Sequence, residues 1–169
     1  MVELLQRVHR MVSEIDRARY AERFAPYLKG SSGQYIYRLK GEETGPHLER
    51  IGQLMHGLLA DLASTYRDHP TYRILERVFG EQFTVVEAEV RAKAGKEISP
   101  SSLQSPDDPE DSYRTKGKHH YKGYVTNVAE TCDSDNPFQS ITSVQTAPNT
   151  AEDSALLVEA LPELKERTG

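Results

Sequence analysis

The sequence predicts an α+β chain, with a helical hairpin in its first half followed by a β-hairpin and a closing helix. Up to about Ala88, apolar residues recur at the three-and-four spacing of a helix stripe. Beyond Ala88 that period fades into a stretch rich in Ser, Pro, Gly and charge. Tyr, Val, Thr and Ile then gather in two short runs, the composition of strands.

Leu4, Leu5, Val8, Met11, Val12 and Ile15 share the first stripe. Tyr20, Phe24 and Tyr27 continue it, and Pro26 with Gly30 stops it, so helix is expected over 3–28. Ile51, Leu54, Met55, Leu58, Leu59 and Leu62 make a second stripe, expected as helix over 47–67. It is entered from 41–46 and left at Arg67-Asp68-His69-Pro70. Ile74, Leu75, Val78 and Phe79 mark a short third helix. "SSGQYIYRLK", residues 31–40, stays open between loop and a short extended piece. Together these read as an antiparallel hairpin with a small extra element. Their stripes are too short for a long coiled coil and leave a homo-oligomer open.

"KAGKEISPSSLQSPDDPED" reads as linker or surface loop. "YKGYVTNVAETC" and "FQSITSVQTA" predict strands over 120–132 and 138–147, with "DSDNP" as the turn between them. Residues 150–166 read as a helix capped by Thr150 or Asn149, with Glu152 and Asp153 at its positive end. Leu156, Leu157, Ala160, Leu161 and Leu164 are its expected buried face, and Pro162 should kink or restart it. The expected division is a helical segment over 1–88, a linker over 89–118 and a strand-strand-helix segment over 119–169. Two strands and a helix are too little for a stable sheet layer.

Composition excludes several classes. The chain has 169 residues, 37% hydrophobic and 28% charged, with no tryptophan. A net charge of −5 argues against a wholly basic nucleic-acid binder but permits a local basic patch. Cys132 is the single cysteine, so no intrachain disulfide forms and a reducing compartment is expected. No apolar run is long enough to span a bilayer, and residues 1–20 lack the pattern of a signal peptide. A cytoplasmic protein without a membrane partner is the expectation.

The order of motifs is more specific. "SLQSPDDPEDSYRTKGKHHYKGYVTNVAETCD" and then "ITSVQTAPNTAEDSALLVEALPELKERTG" resemble the middle of bacterial insertion-sequence transposases of the DDE class. The resemblance rests on a Ser-Pro-x-Asp-Pro loop (Ser105, Pro106, Asp108, Pro109) and a Gly-Tyr strand (Gly123, Tyr124). It continues with a strand ending in Pro148-Asn149 and with Asp153 at a helix start. The helical first half is similar to a segment that a subgroup of these enzymes carries before the loop. Where many relatives have Lys and His after Gly-Tyr, this chain has Val125 and Asn127. The resemblance implies a partial ribonuclease-H-like core, DNA as partner, and magnesium for the intact enzyme. It also places the family's first catalytic Asp before the matched region, and the second Asp and the Glu after it. An internal slice is therefore expected, without catalytic or metal-binding residues and inactive alone. Its basic residues Arg114, Lys116, Lys118, His119 and Lys122 would lie beside a DNA channel and neutralise phosphates.

The residues themselves support plainer roles for the other candidates. Asp107, Asp108, Glu110 and Asp111 crowd around two prolines, as turn residues do, whereas a two-metal site needs carboxylates converging from rigid elements. His119 and His120 are adjacent and point to opposite faces of a strand, which does not suit chelation. Cys132 has neither a zinc spacing nor a paired His and reads as a small strand residue. Asp153 reads as a helix-start acid. Two further functions stay open: a non-enzymatic helical interaction module, and a weak nucleic-acid binder working through residues 113–124.

Overall fold

The computed structural model describes residues 1–133, 135 and 137–168. It is α+β and divides into two compact units, Met1–Ser99 and the chain from Pro100 onward.

The first unit is helical. α1 (Val2–Met11) stops where Val12 turns extended, at φ −74° and ψ 156°. Ser13 then accepts a hydrogen bond from the Asp16 N–H and caps α2 (Glu14–Arg19), which is followed by α3 (Ala21–Phe24). The single helix expected over 3–28 is thus three short ones, because a serine cap restarts the chain inside the stripe. Ile15, expected on the buried stripe, is 82% exposed. α4 (Ser32–Arg38) occupies the segment left open by the sequence and starts with a reciprocal Ser31–Gln34 capping box. α5 (Thr44–Tyr66) and α6 (Pro70–Gln82) follow, with Pro70 opening α6, where its missing N–H costs nothing. The Tyr66 hydroxyl accepts from the Ser13 N–H at 2.9 Å and donates to Asp16 at 2.8 Å, tying the restart to the end of α5.

α6 packs against both α1 and α5. Leu4, Leu5, Val8, Phe24, Met55, Leu58, Leu62 and Leu75 fill the core between them. The core is therefore built on three helices, and a two-helix hairpin does not describe it. A β-hairpin of β1 (Phe83–Val86) and β2 (Glu89–Ala92) completes the unit. It packs on α5, where a Cβ at Gly52 would come within 2.6 Å of the Phe83 ring. Its two-residue loop holds Glu87 at φ 50° and Ala88 at φ 67°. Hairpins usually fill these positions with Asn and Gly, so the sequence carries no turn signal here. The hairpin straddles the boundary expected at 88 and takes β2 out of the expected linker.

The second unit holds β3 (Ser112–Lys116), β4 (His119–Glu130), β5 (Ile141–Pro148) and α7 (Asp153–Thr168). The strands are antiparallel in the order β3-β4-β5. β3 also lies in the expected linker, because "SYRTK" lacks apolar alternation. It joins β4 through a two-residue loop with Gly117 at φ 64°, the glycine position of a II′ turn. β4 pairs with β3 as far as Gly123 and with β5 from Tyr124 onward. It ends at Glu130, leaving Cys132 beyond the strand and exposed. The turn expected over 133–137 includes Ser134 and Asn136, which lie outside the described residues.

α7 packs against β5. Val125, Asn127 and Ala129 are half-buried, whereas Tyr124, Thr126, Val128 and Glu130 on the alternate positions are exposed. α7 starts at Asp153, later than expected, and runs through Pro162. It buries Leu156 and Ala160 and half-buries Leu164, but Leu157 and Leu161 are exposed, at 53% and 39%. The apolar face read from its sequence is wider than the face that one sheet layer covers. Among the described residues, no helix is long and apolar enough to cross a membrane.

Candidate nucleic-acid interface

The acidic loop is a chain of turns. Ser105 Oγ accepts from the Asp107 N–H at 3.2 Å, and the Ser105 carbonyl accepts from the Asp108 N–H at 3.3 Å. Asp108 Oδ1 then accepts from the N–H groups of Glu110 and Asp111 and from the Tyr124 hydroxyl at 2.5 Å. Pro106 and Pro109 fix φ on either side of this aspartate. The hydrogen bond to Asp108, helped by the charges of Glu110 and Asp111, pushes the Tyr124 phenol up to about 12. Ser105, Asp108 and Tyr124 therefore meet as a tie between loop and strand.

Gly123, Pro148 and Asn149 meet next to that tie. Pro148 lies opposite Tyr124 in the β4–β5 register, and the Asn149 N–H donates to the Gly123 carbonyl. The buried Asn149 side chain accepts from Ser112 Oγ and donates to the Tyr121 carbonyl, both at 2.9 Å. An Asn suits this point because one amide supplies both an acceptor and a donor. It is thus a latch across the sheet, which explains why it does not cap α7. Asp153 starts α7, is exposed, and borders a groove of about 330 Å³ with Asn127, Gln145, Leu157 and Ala160.

These acids do not fit a magnesium pair. Asp108 Oδ1 is committed to three donors, and Asp111 Oδ2 pairs with Lys122 Nζ at 3.2 Å. Asp111 Oδ1 is buried and has no hydrogen-bond partner. Among the described residues, no group of three or more His, Cys, Asp or Glu side chains is placed to hold a metal.

The basic residues separate by strand alternation. Register pairs Arg114 with Tyr121 and Lys116 with His119, which places these four on one face of the β3–β4 hairpin. Lys118 sits in the loop at the tip. The opposite face carries Tyr113, Thr115, His120 and Lys122. Lys122 therefore does not belong with the other candidates, and its ammonium is held by Asp111. Arg114 is half-buried and donates through Nη1 to the carbonyls of Asn149 and Ala151 at 3.3 and 3.4 Å. Lys116, Lys118 and His119 are exposed, and no acid occurs between Ser112 and Val128.

The rings follow the same division. Tyr113 and His120 stack at 5.8 Å between centroids and 18° between planes, with the hydroxyl 2.7 Å from His120 Nδ1. His119 and Tyr121 lie 6.5 Å apart at 48° on the cationic face. Sequence reasoning did not single out Tyr121, although a residue two positions from His119 on a strand shares its face. The signal is the strand alternation of β4.

No family model, no curated protein and no solved structure matches the chain.

Proposed function

We propose that this chain is of the DDE-transposase kind, with a partial ribonuclease-H-like sheet layer, and that it contacts DNA without cutting it. The observation that carries the DNA contact is the acid-free tip of the β3–β4 hairpin, where Lys116, Lys118 and His119 stand exposed beside Arg114. Cations on a narrow β-ribbon fit a groove or a phosphate row and hold it by releasing counterions. The motif residues support the family reading in a structural role. Ser105, Asp108, Gly123, Tyr124, Pro148 and Asn149 join loop to sheet rather than forming a reaction centre. The reading implies DNA as partner and a cytoplasmic location, with the magnesium-dependent chemistry residing in residues other than these.

One observation favours a second reading, a helical interaction module. α4 leaves Ile36 63% and Tyr37 92% exposed, two apolar side chains available to another protein.

The test is a salt titration of duplex binding beside a supercoiled-plasmid assay with magnesium or manganese. With Arg114, Lys116 and Lys118 engaged, affinity should fall about 40-fold between roughly 50 and 200 mM salt and be insensitive to sequence. No metal should support nicking. Metal-dependent nicking that Asp108→Ala or Asp153→Ala abolishes would overturn the reading, as would binding indifferent to salt.

A further inference from the structure

We propose that the cationic face of the β3–β4 hairpin is a stacking platform for an unpaired base, so that the nucleic acid it takes is single-stranded or locally melted. This rests on the reading of the hairpin as a phosphate contact and names the substrate class of that same face.

The two faces of the hairpin hold their aromatic rings differently. On one, Tyr113 and His120 stack on each other, and His120 Nδ1 lies 2.7 Å from the Tyr113 hydroxyl and 3.2 Å from Thr115 Oγ1. That pair is satisfied within the chain. On the other, Tyr121 is 50% exposed, and its nearest ring, His119, is tilted by 48° at 6.5 Å. Its ring is open to a ligand.

Cations flank this ring. Arg114 is its cross-strand partner, half-buried with Nη1 held by the Asn149 and Ala151 carbonyls, so that it supplies charge, and the exposed Lys116 lies two residues along β3 on the same face, about 7 Å away by strand rise. That spacing is commensurate with successive phosphates of an extended strand. Lys118 prolongs the row at the tip. The backbone under the ring is fixed, because the Tyr121 carbonyl accepts from Asn149 Nδ2 at 2.9 Å. Stacking on this ring therefore requires little backbone ordering.

In a duplex the base faces are already covered by neighbouring base pairs, and a tyrosine at the groove meets only edges and sugars. A single strand presents the π-face itself, and stacking on it tolerates any base. The open ring beside cations favours the single strand.

The experiment is fluorescence anisotropy on the full chain at low salt. The probes are a labelled thymidine strand of about 12 nucleotides, an abasic strand of the same length, and a duplex. Tyr121→Ala should weaken single-strand binding on the order of tenfold and leave duplex binding unchanged. Tyr121→Phe, which keeps the ring, should retain wild-type binding. The abasic strand should bind wild type about as weakly as the thymidine strand binds Tyr121→Ala. Lys116→Gln with Lys118→Gln should weaken both single strand and duplex. Equal binding of abasic and thymidine strands would overturn the stacking platform while leaving the phosphate contact standing. So would an equal loss on single strand and duplex in Tyr121→Ala. Failure to bind any of the three probes would overturn the phosphate contact and the platform together.

Discussion

The two units of this chain are held by different forces. In the helical unit, Leu4, Leu5, Val8, Phe24, Met55, Leu58, Leu62 and Leu75 are almost wholly removed from water. In the second unit, Leu156 and Ala160 are the buried hydrophobic residues among those described, and they keep company with buried Ser102, Asp111, Ser112 and Asn149. Its larger apolar side chains, Val128, Ile141, Val144, Leu157 and Val158, are more than half exposed. One unit is therefore stabilised by apolar burial and the other by strand pairing, turns and a polar latch. The less apolar unit is the one that carries the cationic hairpin. Ligand-binding loops and lids are drawn from the low-stability end of a structure, which suits the contact proposed for this hairpin.

The comparison breaks most sharply with a truncation on each side. Leu58→Ala leaves a cavity among α1, α5 and α6 and should cost about 2–5 kcal/mol in chemical denaturation. Val144→Ala, at a residue 60% exposed, should change stability by no more than about 0.5 kcal/mol. Similar losses from the two substitutions would erase the distinction. Asn149→Ala comes next. It strips Ser112 Oγ and the Tyr121 carbonyl of their partner and should cost the second unit about 1–3 kcal/mol. Hydrogen exchange of β3 and β4 amides should accelerate while that of α5 stays unchanged.

A gain is expected at the β1–β2 loop. Ala88, at φ 67°, holds a left-handed conformation that glycine adopts without the Cβ penalty. Ala88→Gly should raise the stability of the helical unit by about 1 kcal/mol in the same denaturation experiment. The smallest effect concerns Tyr124. Its hydrogen bond to Asp108 holds the phenol up at about 12, above the usual value of 10. The tie is therefore fully present below about pH 10 and is lost as pH rises through 12. Ultraviolet titration should find late-ionising tyrosines, Tyr20 and Tyr124 foremost, and Asp108→Asn should bring the ionisation of Tyr124 down and leave that of Tyr20 unchanged.

Much of this division is legible in the residues. The stripes of α5 and α6 and the β-rich composition of β4 and β5 identify those elements, because in each the buried or paired face repeats with the period of the backbone. What escaped had its cause in local chemistry. Ser13 restarts a helix inside an unbroken apolar stripe, and only the cap geometry separates α1 from α2. Glu87 and Ala88 make a tight turn without a glycine or asparagine, so the β1–β2 hairpin carries no local signal. β3 is polar throughout and becomes a strand only because β4 pairs with it. The candidate cations suffered from the same omission. Once β3 is a strand, alternation alone removes Lys122 from the set and adds Tyr121. Asp108 as a turn acid could be read from its prolines, but the Tyr124 hydroxyl bond could not, since it joins residues far apart in the chain.

On the proposed reading, a closely packed apolar unit accompanies a polar unit whose cationic hairpin takes nucleic acid. Amide hydrogen exchange on the full chain, with and without a single-stranded oligonucleotide, tests it most directly. Without ligand, α5 and α6 should exchange slowest, and the hairpin from Tyr113 to Lys122 should be protected by its strand pairing but exchange faster than either. With ligand, protection should rise in that hairpin and leave α5 and α6 unchanged. Uniform exchange across both units, or protection that appears in the helical unit instead, would contradict the account.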